Sequence, residues 1–166
     1  VELHHASVSA DDSMHLLRAM EAADPTITPF VRLPNHDVYW IQQSLDAGYE
    51  GLIVPLCESA EQAEALVQAA YFPPRGARSM AGSIRASLRG LDPASMNERT
   101  ILLPQIESRE GLEQMERILD VDGVTGVLLG PEDLSLSCGW KRGNPWSRQP
   151  FLDAVARVVG ACHERN

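Results

Sequence analysis

The sequence predicts an α/β fold built on a parallel sheet, on three observations. Short apolar runs of strand length recur along the chain, each is followed by a stretch with apolar residues at helical spacing, and capping residues punctuate the joins. A strand, helix, strand succession of this length forces neighbouring strands to be parallel, and near-continuous apolar strands mean a sheet covered by helices on its outer side. About five such β/α units can be read, starting near residues 1, 27, 51, 101 and 124, with no domain boundary between them.

Residues 1–4 read as the tail of a strand, and Ser9 with Asp12 makes a capping box for a helix whose Met14, Leu17 and Met20 share a face. Ile27–Val31 is the next strand, entered through the Asp24-Pro25 turn and left through Arg32-Leu33-Pro34. Asp37 then caps a helix with Val38, Ile41 and Leu45 inward and Gly48 as its stop. Gly51–Leu56 is a fully apolar strand, followed by Ser59 and Gln62 as a second capping box ahead of Ala63, Leu66, Val67 and Ala70. From Phe72 to about Thr100 the pattern lapses into a long connection with a short helix after Asp92-Pro93; loops this long in compact domains are usually lids or subunit contacts. Its Arg75, Arg78, Arg85 and Arg89 read equally as a solvated basic face or as a lid that meets a distal substrate carboxylate. Ile101–Ile106 and Val124–Leu129 are the last two strands, joined by a helix capped by Ser108 and closed near Asp120 and Gly123. A polar Gly/Pro/Trp stretch leads into a final helix with Phe151, Val155, Val158/Val159 and Cys162 on one side.

Composition narrows the partners. Of 166 residues, 44% are apolar, 22% charged and 5% aromatic, and the formal charge is −9, which fits one domain with a buried core and disfavours nucleic acid or anionic lipid as a partner. The cysteines Cys57, Cys138 and Cys162 fit neither a disulfide framework nor a zinc motif. No apolar run reaches the ~18 residues of a membrane span and no signal-type segment opens the chain, so a cytoplasmic protein is expected. A (β/α)8 barrel takes roughly 250 residues, about three units more than are present. A doubly wound sheet would fit the length, but its Gly-rich phosphate turn is absent.

Parallel strands bring their carboxyl ends to one edge, where such sheets keep their chemistry. That edge collects His4 and His5, Arg32, Pro55 and Cys57, Gln105 and Glu107, and Asp133. Two carboxylates suit a hard divalent ion that takes one or two protein oxygens and leaves positions for a chelating substrate. Arg32 adds a fixed fork of donors for a carboxylate or oxyanion, His5 can pass a proton near neutrality, and Gly130-Pro131-Glu132-Asp133 reads as a helix start whose free amides favour an anion. Together these describe enolate chemistry on a 2-oxo acid. Taken singly, Glu107 and Asp133 also read as cap or surface acids, Arg32 as a salt-bridge partner and His5 as a structural histidine. His4, His15, His36 and His163 fall in the structural or surface class, and the cysteines read as packing residues.

The phrases LPQIESREGLEQMERILDVDGVTGVLLGPEDLS, YFPPRGARS and TPFVRLPNHD, with the opening Glu2-Leu3-His4-His5, resemble the metal-dependent (class II) pyruvate aldolases of the 4-hydroxy-2-oxoheptanedioate and 2-dehydro-3-deoxyglucarate aldolase family, within the citrate lyase β-subunit group. The resemblance covers nearly the whole chain and implies a partial (β/α)8 barrel domain over residues 1–166, from the family's second strand to its sixth helix, with strands 1, 7 and 8 missing. Such an unclosed barrel points to a fragment or a chain needing a partner. The resemblance implies a lyase that cleaves a 4-hydroxy-2-oxo acid to pyruvate and an aldehyde, working as a homo-oligomer with Mg2+ or Mn2+, and with Co2+ or Zn2+ as substitutes. Glu107 and Asp133 become metal ligands, and Gln105 with the backbone around Glu132 and Asp133 binds the pyruvate moiety. Arg32 holds the keto oxygen, His5 accepts the proton, and Asp46 raises the basicity of His5. The family's D-x-E-H opening is changed here: Glu2 replaces the first acid and His4 the second, and an imidazole there would lower the proton affinity of His5. An acyl-CoA lyase of the wider group and a non-catalytic, truncated barrel are the alternatives. No Lys stands at a strand end for Schiff-base chemistry.

Overall fold

The computed structural model describes residues 1–80, 90–140 and 144–165. Four strands, β1 (Phe30–Arg32), β2 (Gly51–Val54), β3 (Ile101–Ile106) and β4 (Leu128–Leu129), pair in chain order, each parallel to the next. Glu2 adds a parallel bridge to Arg32 on the outer side of β1. The helices α1 (Ala10–Ala23), α2 (Val38–Ala47), α3 (Ala60–Ala70), α4 (Pro93–Arg99), α5 (Arg109–Leu119), α6 (Pro131–Ser137) and α7 (Gln149–His163) fall between and after the strands. An order that never reverses excludes the doubly wound alternative, whose strand order turns back at a switch point, and the sheet curls as a half-barrel.

The register explains which residues face which way. Val31, Leu52 and Leu102 are partners across β1, β2 and β3 and each is fully buried, packed with Leu17 of α1, Ile41 of α2, Leu66 of α3 and Met115 and Ile118 of α5. Because successive side chains alternate across a strand, Arg32, Ile53, Leu103, Gln105 and Glu107 point to the opposite, inner face of the curl.

Local signals fix the helix ends. Ser9 and Asp12 form the capping box of α1, Asp37 caps α2 through Tyr39 N, and Gly48 ends α2 in the left-handed region at φ 114°, which a Cβ disfavours. The Ser59 hydroxyl accepts from Gln62 N, but the Gln62 side chain accepts from Glu58 N, one residue before the cap expected for a full box. Three strands are shorter than the apolar runs that predict them, and β2 stops at Val54, ahead of Pro55, which has no N–H to donate. Residues 27–29 are outside the ladder because Asp24 folds Thr26 back through two hydrogen bonds and Pro29 has no N–H to donate. In the run from Val124, Thr125 both donates its N–H to Leu102 O and offers its hydroxyl to Leu102 N, so regular pairing starts only at Leu128. In α7, Val158 is buried while Val159 is 47% exposed, so only the first of that pair belongs to the inward face.

The long connection holds a further departure. Arg78 is not on a solvated face: it is 4% exposed, bonds Asp46 at 2.5 Å and lies over the Phe72 ring at 4.4 Å. Arg75 stacks on Tyr71, while Arg85 and Arg89 lie outside the described residues. No helix among the described residues is long and apolar enough to cross a membrane.

Candidate active site

Alternation and register together assemble a polar row on the inner face at the carboxyl edge. Glu2 stands beside Arg32, and the guanidinium binds the Glu2 carboxylate through both Nε and NH2 at 2.5 Å. Arg32 NH1 donates to Gln105 Oε1 at 3.4 Å, and the Gln105 amide donates in turn to Glu107 Oε2. The other Glu107 oxygen accepts the Leu56 amide at 2.8 Å. Four side chains, from the Glu2 bridge, β1 and the carboxyl end of β3, are thus linked by hydrogen bonds, and the amide of Gln105 can be oriented in one sense only: oxygen to Arg32, nitrogen to Glu107.

Burial grades along this row. Glu107 is 2% and Gln105 1% exposed, whereas the Arg32 and Glu2 side chains are 24% and 37% exposed. Desolvation pushes the Glu2 carboxyl up, but hydrogen bonds from Arg32 and the His5 and His4 amides, with the Arg32 charge, outweigh it and hold it below the usual range. Across β3, Gly130 at the end of β4 lies against the acid: a Cβ there would stand 2.6 Å from Glu107 Oε2 and 2.7 Å from Gln105 Nε2. Gly130 is also the N-cap residue of α6, so Glu132 and Asp133 fall in the first turn of that helix, both solvent-exposed. Cys57, beside the row, is fully buried, and burial pushes its thiol up to about 11.

The structure therefore brings together Arg32, Gln105 and Glu107, and sets the Glu132–Asp133 turn next to them through Gly130. His5 is joined to the row through its backbone, its N–H donating to Glu2 Oε1 at 3.1 Å, and its ring lies 4.0 Å from that of His4. Asp46 is bonded to Arg78, and no hydrogen bond joins it to His5 among the described residues. Glu2 is the member that sequence reasoning leaves out of the site, although its alternation with Leu3 on a strand beside Arg32 is the signal that finds it.

A family model for HpcH/HpaI aldolase/citrate lyase matches residues 1–166. The chain belongs to this family. It is 40% identical over 97% of its length to a hydroxypyruvate/pyruvate aldolase of Deinococcus radiodurans, and 42% identical over 86% to a 4-hydroxy-2-oxovalerate aldolase of Novosphingobium aromaticivorans. It covers 60% and 56% of those proteins, so it spans little more than half the length of these curated relatives. Among solved structures, an HpcH/HpaI aldolase/citrate lyase family protein from Burkholderia cenocepacia superposes on 99% of the chain with a TM-score of 0.89 at 31% identity, the chain covering 66% of it.

Proposed function

We propose that this HpcH/HpaI family chain carries the pyruvate-binding and ion-binding part of a class II aldolase, a carbon–carbon lyase that cleaves a 4-hydroxy-2-oxo acid reversibly to pyruvate and an aldehyde. The observation that carries the reading is the hydrogen-bonded row Glu2, Arg32, Gln105 and Glu107 on the inner face. In this reading residues 1–166 are one domain of about five β/α units of a (β/α)8 barrel, from the family's second strand to its sixth helix, acting in the cytoplasm as part of a homo-oligomer.

The donor set fits a divalent cation. Glu107 is almost wholly buried, yet among the described residues it receives only neutral amide donors and no ion pair. A carboxylate offers about four lone-pair sites, so two amide bonds leave capacity for an ion that would offset the buried charge. Glu107 and Asp133 would hold Mg2+ or Mn2+, which take one or two carboxylates and otherwise water or substrate oxygen. Such an ion supplies Lewis-acid polarisation of a keto oxygen.

The chain's own groups do the rest. Arg32, held on one side by Glu2 and on the other by Gln105, presents its remaining donor surface to the keto oxygen and to the oxyanion that develops there. Gln105 and the first-turn amides of Glu132 and Asp133 orient the pyruvate moiety. His5 accepts the 4-hydroxyl proton as the C3–C4 bond breaks, the electron pair passes to C3, the aldehyde leaves, and protonation at C3 gives pyruvate. Asp46 enters as the acid behind His5, shared with Arg78.

Thermal unfolding with Mn2+ and pyruvate tests this reading. The midpoint should rise with both present, and Glu107→Gln with Asp133→Asn should abolish the rise. A rise that survives the double substitution removes the ion from this edge. A rise with an acyl-CoA ester but none with pyruvate moves the assignment to the citrate lyase-like branch.

A further inference from the structure

The Pro55–Leu56 peptide at the end of β2 is gripped at both ends. Its N–H, that of Leu56, donates to Glu107 Oε1 at 2.8 Å, and its carbonyl, that of Pro55, meets His36 Nε2 at 2.5 Å. Leu56 also has a φ of 55°, the only non-glycine residue in the left-handed region among the described residues, and its side chain is 49% exposed. No burial of an apolar side chain accounts for that conformation, which a side chain disfavours. What it accomplishes is to turn the amide into the site.

His36 is set by its own short turn. Asn35 Oδ1 accepts from Asp37 N at 2.9 Å, and Asp37 caps α2, so the residue between them is held at the junction of strand β1 and helix α2. We infer that His36 is a positioning residue: through the Pro55–Leu56 peptide it aims the Glu107 carboxylate at the ion. A hydrogen bond to a peptide carbonyl polarises the unit and makes its N–H a better donor. The two Glu107 oxygens are then aimed by two chains of contact, Arg32 through Gln105 to Oε2 and His36 through the peptide to Oε1. Outer-shell partners of this kind hold a metal ligand in one orientation, and their loss weakens metal binding without removing a ligand.

The inference rests on Glu107 being an ion ligand, and the test separates the two. Mn2+ alone is titrated into the protein, free Mn2+ being followed by electron paramagnetic resonance, alongside the metal-free unfolding midpoint of each variant. His36→Phe keeps a planar ring but loses the donor and should weaken Mn2+ binding by roughly 10- to 100-fold. His36→Gln, whose amide nitrogen reaches the same carbonyl, should restore most of that loss. His36→Ala serves the same purpose as the Phe variant should the larger ring disturb the turn. Parental Mn2+ affinity in the Phe and Ala variants, with binding lost in Glu107→Gln, overturns the role of His36 and leaves the ion site standing. Equal weakening in the Gln variant also overturns it, because loss of the ring and not of the donor would then be the cause. Parental affinity in Glu107→Gln overturns both.

Discussion

Arg32 is the residue on which the site's charge balance turns, because it is the one cation in the row and reaches both neighbours. Its Glu2 contact uses Nε and NH2 while NH1 goes to Gln105, a geometry that needs a planar fork and not a point charge. For the proposed cleavage, Arg32→Ala should reduce the turnover of a 4-hydroxy-2-oxo acid by on the order of 100- to 1000-fold, the cost of losing the proposed oxyanion donor, and Arg32→Lys should recover little of it; steady-state pyruvate release measures both. Glu2 gives a prediction in pH. Its folded carboxyl is held below the ordinary range, so the unfolded state binds more protons as acid is added, and the stability Glu2 contributes is present above its unfolded pKa and lost as pH falls through the folded one. Glu2→Gln should flatten the acid side of the denaturation midpoint plotted against pH, and an unchanged slope would mean that solvent screens the pair. Arg32 and Glu107 were legible in the sequence because each follows an apolar run, and Gln105 because it stands two residues before Glu107 and so shares its face. Glu2 was not, since its partner is 30 positions away and only strand pairing joins them.

At the level of elements, the helix starts were legible because a cap is a contact between residues two or three apart, as in Ser9 with Asp12 or Ser108 with Gly111. Strand lengths were not, because a strand ends where its neighbour stops pairing, and the Thr125 hydroxyl that takes the Leu102 amide is a choice made across the sheet. The same non-locality hid the link between α2 and the segment after α3, where Asp46 meets Arg78. Burial pushes the Arg78 guanidinium down, and Asp46 opposes that shift. With the Arg78 side chain 3% exposed, Asp46→Ala should strand a buried charge and cost about 3 kcal/mol or more in chemical denaturation. A variant with unchanged stability but a displaced pH–rate profile would assign Asp46 to His5 instead. The turn from β4 into α6 makes a complementary prediction: Gly130→Ala must force a methyl against Glu107 and Gln105, so Mn2+ affinity should fall sharply even where the chain still folds.

At the scale of the whole fold the governing fact is that, among the described residues, the parallel sheet does not close. Among the described residues β4 pairs only with β3, so its other side presents free backbone donors and acceptors, and Leu128 and Leu129 are only half-buried there. On the inner face Ile53 and Leu103 are likewise only half-buried. Unpaired edges and open apolar surface favour association, while the formal charge of −9 opposes it through repulsion that salt screens. The balance has a sign that can be measured. Sedimentation velocity on the 166-residue chain should show self-association that strengthens as salt is raised, opposite to a contact held by ion pairs. Leu128→Lys places a charge on the open edge and should weaken that association at every salt concentration. A chain that stays monomeric at high salt would mean that the curl covers its own inner face, and the half-buried leucines would then be the residues to examine for intramolecular contacts. Association that weakens with salt would shift the contact to the charged outer helices, where Arg157 with Glu116 and Arg165 with Asp120 already pair on the surface.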